Sequence, residues 1–195
     1  MSARTCWGCG VAATDPICPS CGKVQPPPSA GTRQDRFATL GFAPSFDEPE
    51  GLDDKFHALS RKLHPDRFVR ATPQERRYSL EQTTLLNEAY KTLKDPVRRA
   101  EHLLTLRGIE GDPKMSPEFL EQTLEDREKL MEAKASGEPL EELARGVRER
   151  RDQTLQNVRA LVENGGDLGQ AAELLARMRY FARYLDEVEG RSVEL

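Results

Sequence analysis

Apolar residues recur along most of this chain at helical spacing and almost nowhere in the alternation of a strand. From Leu52 the apolar positions are Leu52, Phe56, Leu59 and Leu63, a stripe with Lys55, Arg61 and Lys62 on the opposite face. Pro65 ends that helix, because a proline disfavours helical geometry at the residue before it. The next helix starts at Thr72: Pro73 suits the first helical position, and Glu75, three residues after the cap, completes a capping box. Its stripe runs through Leu86, Ala89, Tyr90 and Leu93 to a stop at Asp95-Pro96. A short segment around Arg36 to Gly41 is expected to pack against this antiparallel pair, as are Val97, Ala100, Leu103 and Leu104.

A second group of helices follows. Ser116-Pro117 signals a start, with Phe119, Leu120, Leu124, Leu130 and Met131 as the apolar side and an end near Gly137-Glu138-Pro139. A longer helix with Leu140, Leu143, Val147, Leu155, Val158 and Leu161 inside stops at Asn164-Gly165-Gly166. Asp167 caps the last, whose stripe includes Leu168, Leu175, Met178, Phe181 and Leu185. Short connections between three helices imply an antiparallel bundle. Met131 and Met178 read as core, and His57 and His102 as ordinary helix residues. The expected fold class is all-α: a helical hairpin domain over residues 35–111, then a three-helix bundle over 112–195. Residues 1–25 hold every cysteine, and 26–34, PPPSAGTRQ, read as a linker, stiff and then flexible.

Charge narrows the partners. The 29 basic and 33 acidic residues leave a net charge of -4, so no bulk attraction to nucleic acid or to an anionic membrane is expected. No stretch approaches the roughly 18 to 20 consecutive apolar residues that span a bilayer. The opening MSARTCWGCG has no apolar signal core, and the expected location is cytoplasmic.

CWGCG and CPSCG place Cys6, Cys9, Cys18 and Cys21 as two C-x-x-C pairs, each followed by glycine. Tetrahedral zinc takes four thiolates at about 2.3 Å, and such a turn brings two of them to one ion. Four cysteines leave no open position, so the metal is structural. In a cytosolic protein disulfides are the weaker alternative, and iron or an iron-sulfur cluster is the other occupant to weigh. Some 25 residues build no useful core unaided, so the ion decides whether the segment folds. Trp7 and Pro19 read as packing within it. Arg4 and Lys23 are its only basic residues, which speaks against a zinc-ribbon nucleic-acid binder.

The stretch KLHPDRF sets His64 and Asp66 on either side of Pro65, at an exposed tip between the paired helices. An ordinary loop is the plain reading of three such residues. A catalytic dyad is disfavoured, since no positioned nucleophile or phosphate-cradling glycine loop accompanies them. The context is more specific. FATLGF, RKLHPDRF, LNEAYKTLKDPVRRAEHLL, LEDREKL and RMRYFARYL follow one another over about residues 35 to 190. In that order they resemble the HscB-type J-domain co-chaperones of iron-sulfur cluster biogenesis, some of which carry an N-terminal tetracysteine extension.

The resemblance implies protein recognition rather than catalysis. His64, Pro65 and Asp66 would contact an ATPase chaperone of the seventy-kilodalton heat-shock class and stimulate its ATP hydrolysis, with Lys55, Arg61, Lys62 and Arg67 as basic support. The plain alternative for these cations is a solvated helix face. The bundle would present the iron-sulfur scaffold protein through Leu120, Leu124, Glu125, Glu128, Glu132 and Tyr180. Glu121 stands where relatives often carry an apolar residue, which would shrink that patch. Against this, Leu120 and Leu124 also fit a core and the glutamates a solvated stripe. A J-domain adaptor for a different client, with the zinc knuckle as its reader, is the other reading.

Overall fold

A computed structural model describes residues 4–28 and 34–191, without the side chain of Arg4. The flexible part of the expected linker, 29–33, and the end of the chain, 192–195, lie outside the described residues. Two compact units result, Met1–Leu106 and Arg107–Leu195.

The first unit opens with two short antiparallel strands, β1 (Arg4–Thr5) and β2 (Ala12–Ala13), in the register Arg4 with Ala13 and Thr5 with Ala12. Four helices follow: α1 (Arg36–Leu40), α2 (Leu52–Leu63), α3 (Pro73–Lys94) and α4 (Pro96–Leu106). The capping box of α3 forms as expected: Thr72 accepts from the Glu75 amide, and the Glu75 carboxylate accepts from the Thr72 amide. Helices α2 and α3 are antiparallel. Lys94, at the end of α3, is 2.8 Å from Glu48 and 3.0 Å from Asp53 at the start of α2, while Ser79 near the start of α3 meets Leu63 at the end of α2. Between these points the rings of Phe56 and Tyr90 stack 4.0 Å apart.

The core of this unit joins Phe37, Leu40, Leu52, Leu63, Leu86, Ala89 and Leu93 to Val24, which comes from the cysteine segment. Val24 is fully buried and bridges to Ile17, itself packed on the same cluster. The cysteine segment is therefore anchored in the helical core. Arg99 is also inside, where its guanidinium donates to the carbonyls of Phe46 and Leu93 and pins the chain ahead of α2 to the end of α3.

His102 on α4 closes the opposite edge. Its Nε2 accepts from the Arg36 amide at 2.9 Å, which requires a neutral ring, and it stacks on Phe37. Burial pushes its pKa below the ordinary 6.5; Asp35, 3.9 Å away, opposes this and Arg36 adds to it. The unfolded chain then takes up the proton first, so the contribution of His102 to stability is complete above pH 6.5 and declines as pH falls through its folded value. Denaturant unfolding from pH 8 to 5 is expected to lose less stability in His102→Gln, which keeps an acceptor for Arg36 but does not titrate, than in the parent protein. Equal losses would remove His102 from the account.

The second unit is a three-helix bundle of α5 (Pro117–Ser136), α6 (Glu141–Glu163) and α7 (Leu168–Val188). Ser116 and Asp167 cap as expected, and Gly137 ends α5 with φ 72°, a left-handed conformation natural to glycine. Contacts fix the directions. Ser116 meets Glu173 at one end and Lys134 meets Glu187 at the other, so α5 and α7 run parallel; Arg148 reaches Glu189, so α6 runs against both. Met178 is buried as expected, but Met131 is not core: it is 68% exposed. Leu120 and Leu124 are exposed with it. The reason is the phase of α5, whose inner face is set by Phe119, Asp126, Leu130 and Ala133, leaving the other three on one outer ridge.

Candidate functional sites

His64 leaves α2 with ψ 127°, extended where a helix would continue, because the Pro65 ring bars helical geometry before it. Pro65–Phe68 then form a single 3-10 turn. The turn is capped from behind: His64 Nδ1 accepts from the Asp66 amide at 3.3 Å, and the His64 carbonyl accepts from the Arg67 amide at 3.0 Å. The Leu63 carbonyl, left over at the helix end, accepts from the hydroxyls of Ser79 and Thr83 at 2.6 and 3.1 Å, which fastens the corner to α3. The Asp66 carboxylate is 3.6 Å from His64 Nδ1, yet its side chain is 86% exposed and free to meet a partner. Lys55, Arg61, Lys62 and Arg67 are all exposed and make no ion pair among the described residues. An unneutralised basic stripe thus borders an exposed carboxylate.

The four cysteines converge. Each knuckle repeats one pattern: the Cys6 amide donates to the Val11 carbonyl and the Gly10 amide to the Cys6 carbonyl, as the Cys18 amide does to Lys23 and the Gly22 amide to Cys18. Gly10 and Gly22, at φ 75° and 71°, supply the left-handed residue that turns each one back. All four sulfurs lie within 4.8 Å of one another, with Cys6 to Cys21 at 3.6 Å and Cys9 to Cys18 at 3.7 Å. Ligands at about 2.3 Å around a tetrahedral ion lie about 3.8 Å apart, so the arrangement fits one. Burial acts to raise the Cys6 thiol, but the amides of Gly8 and Cys9 and the sulfurs of Cys21 and Cys18 bring it down to about 6. For Cys21 the Lys23 amide acts to lower it, whereas burial and the neighbouring sulfurs push it up to about 12. Four sulfurs crowded this closely are a donor set that a cation resolves. Trp7 packs the knuckle as expected, its indole donating to the Val24 carbonyl at 2.7 Å and its ring standing edge-on to Tyr78.

On the bundle, Leu120, Leu124 and Met131 form the exposed ridge of α5. Glu125, Glu128 and Glu132 are exposed along one border, while Arg127, Arg179 and Arg183 line the groove toward α7. Tyr180 stands edge-on to Phe119 at the groove floor, and its hydroxyl contacts the Thr123 carbonyl and Asp126 Oδ2, each at 3.2 Å. Burial, then the Asp126 charge, pushes the Tyr180 phenol well above its ordinary value. Asp126, with a side chain only 9% exposed, pairs with Arg150 on α6 at 2.8 Å and also accepts from Gln122. Sequence reasoning named Tyr180 but passed over Asp126 and Arg150. The signal was available: Asp126 is seven residues after Phe119 and four before Leu130, a charge on the inner face that demands a partner.

Comparison with known proteins now bears on these sites. Residues 115–189 match the family model described as the HSCB C-terminal oligomerisation domain. The iron-sulfur cluster co-chaperone protein HscB of Mus musculus is 32% identical over 197 residues, covering 96% of this chain and 82% of the mouse protein. The co-chaperone protein HscB homolog of Shewanella baltica is 35% identical, covering 78% of this chain and 93% of its own. The crystal structure of human co-chaperone protein HscB superposes with a TM-score of 0.83 at 31% identity, over 98% of this chain and all of that one. That coverage takes in the tetracysteine segment. Chaperone HscB from Vibrio cholerae matches with a TM-score of 0.73 at 32% identity, over 80% of this chain and 96% of its own. Agreement in sequence, in fold and in the C-terminal domain leads to one conclusion: the chain belongs to the HscB family of co-chaperones.

Proposed function

We propose that this chain serves iron-sulfur cluster biogenesis as an adaptor with two grips, one for an ATPase chaperone of the seventy-kilodalton heat-shock class and one for the iron-sulfur scaffold protein. The observation that carries the first grip is the exposed Asp66 carboxylate at a hydrogen-bonded corner that also carries Arg67 and follows a helix bearing Lys55, Arg61 and Lys62, four cations with no ion pair among the described residues. Asp66 accepts a charge-assisted hydrogen bond from an arginine of the chaperone. Lys55, Arg61, Lys62 and Arg67 speed encounter and fix orientation, and His64 and Pro65 hold the corner's shape. Binding there stimulates ATP hydrolysis by the chaperone.

The second grip is the α5 ridge. Leu120 and Leu124 supply apolar area, with Tyr180 at the groove floor, and Glu125, Glu128 and Glu132 border it so that it suits a partner surface with basic residues. Zinc is the ion read for Cys6, Cys9, Cys18 and Cys21, one per chain and structural, holding the two knuckles together. Four cysteines that form no disulfide suit a reducing compartment, and the proposed location is the cytoplasm. No helix among the described residues is long and apolar enough to cross a membrane.

Scaffold binding separates the grips. Leu124→Ala, at a side chain 64% exposed, is expected to weaken scaffold affinity about thirtyfold, the effect of losing a central contact of roughly 2 kcal/mol, with the melting temperature unmoved. Tyr180→Ala is expected to match or exceed it, with some loss of stability from the one hydroxyl proton that the Thr123 carbonyl and Asp126 share. Titration calorimetry reads both. Unchanged affinity in both variants would transfer this surface to a different client.

A further inference from the structure

The tetracysteine site meets the helices of its unit through a hydrogen-bonded path as well as through apolar packing. Cys6 Sγ accepts from Gln25 Nε2 at 3.3 Å, and the Gln25 carbonyl accepts from Gln82 Nε2 on α3 at 3.0 Å. Both glutamines are buried. Gln25 is fixed further by its amide on the Pro16 carbonyl and by Nε2 on the Lys23 carbonyl, each at 2.8 Å. Three residues before Gln82 and one after it, Ser79 and Thr83 hold the Leu63 carbonyl, the last backbone group before His64. Tyr78, in the same stretch of α3, receives the edge of Trp7. Fewer than two turns of α3, from Tyr78 to Thr83, thus carry the contacts both to the knuckle and to the corner.

Buried glutamines need partners, and satisfied ones are common. These two are distinguished by where the path ends: at a metal-ligand sulfur in one direction and beside the carbonyl that fastens the corner in the other. We propose that Gln82, acting through Gln25, is a positioning residue that couples metal occupancy of the tetracysteine site to order at the His64-Pro65-Asp66 corner. The inference rests on the reading of the four cysteines as a metal site. Donors to ligand sulfurs orient them and are felt as metal affinity. Because the coupling is thermodynamic it is reciprocal, so a partner that orders the corner also tightens the hold on the ion.

The test uses the full chain loaded with cobalt(II), whose thiolate absorption bands report the site directly. Metal loss to a chelator and hydrogen exchange of the Asp66 and Arg67 amides, both bonded to His64, are measured in the parent protein and in Gln82→Leu. Gln82→Leu is expected to release metal about tenfold faster, the lower end of the ten- to hundredfold cost typical of losing a direct partner of a metal ligand, here Gln25, which Gln82 holds in place. Stripping the metal from the parent protein is expected to speed exchange at the same two amides. Leu93→Ala, a core deletion farther along α3, is the control and should lower the melting temperature while leaving metal release within about twofold. If Gln82→Leu fails to fold, Gln25→Leu carries the same expectation. Metal release at the parental rate from the folded variant overturns the relay, as does corner exchange indifferent to metal. Absence of thiolate bands in the parent protein overturns the metal reading instead.

Discussion

Asp66→Asn is expected to abolish the acceleration of ATP turnover by the cognate chaperone and to leave the fold intact. The substitution keeps the shape of the side chain and removes its charge. Truncating one member of a desolvated charge pair costs about 2 to 5 kcal/mol, a loss of roughly thirtyfold to several thousandfold in the population of productive complexes. The same substitution costs the free protein almost nothing, because the side chain is 86% exposed and its one close neighbour, His64, is held by the Asp66 backbone amide rather than by the carboxylate. Steady-state ATPase measurements read the first effect and thermal denaturation the second. Lys62→Ala should behave differently, slowing association and reducing its dependence on salt without removing stimulation at saturating protein. Full stimulation by Asp66→Asn would move the chaperone contact away from the corner.

Metal removal has the next largest expected effect, and Trp7 reports it. Finger-like sites draw about 10 to 16 kcal/mol from their zinc, and the buried cluster of the cysteine segment comprises only Cys6, Ala13 and Cys18. Without the ion the two knuckles come apart. The helical core survives, since only Val24 and Ile17 are drawn from this segment and burying one such side chain contributes about 1.5 to 3 kcal/mol. Chelation is therefore expected to leave the helical circular dichroism nearly unchanged and to shift tryptophan emission to the red as the indole loses the Val24 carbonyl and the edge contact with Tyr78. Trp7 is the single tryptophan of the chain, so the signal has one source. Emission indifferent to chelation would refute a structural ion, and elemental analysis near one zinc per chain identifies the metal.

Helix ends were legible because their signals are local. Thr72-Pro73 with Glu75, Ser116-Pro117, Asp167 and Gly137 each act within one turn, and each ends or starts a helix where its chemistry requires. The cysteine pairs were legible for the same reason. Where apolar residues surround most of a helix the inner face is not decided locally. On α5, Leu120, Leu124 and Met131 compete with Phe119 and Leu130, and it is the neighbouring helices that choose the second pair. Asp126 confuses the pattern further by occupying an inner position with a charge whose partner, Arg150, is 24 residues away. The anchoring of Val24 and Gln25 to α3 was equally hidden, since those contacts span 57 residues in the case of Gln25 and Gln82.

The ion pair of Asp126 and Arg150 has a consequence for the opposite side of α5. Moving a helix by one residue along its neighbours shifts it about 1.5 Å and turns the side chains by about 100°, which would carry the carboxylate away from both Arg150 and the Tyr180 hydroxyl and strand it among apolar groups. The charge on the inner side of α5 therefore disfavours other rotational settings, in step with the packing of Phe119, Leu130 and Ala133. What the observed setting fixes is the direction in which the outer row of leucines and methionine looks, so a buried carboxylate and the half-exposed arginine that pairs with it help to determine the aim of a surface they never touch.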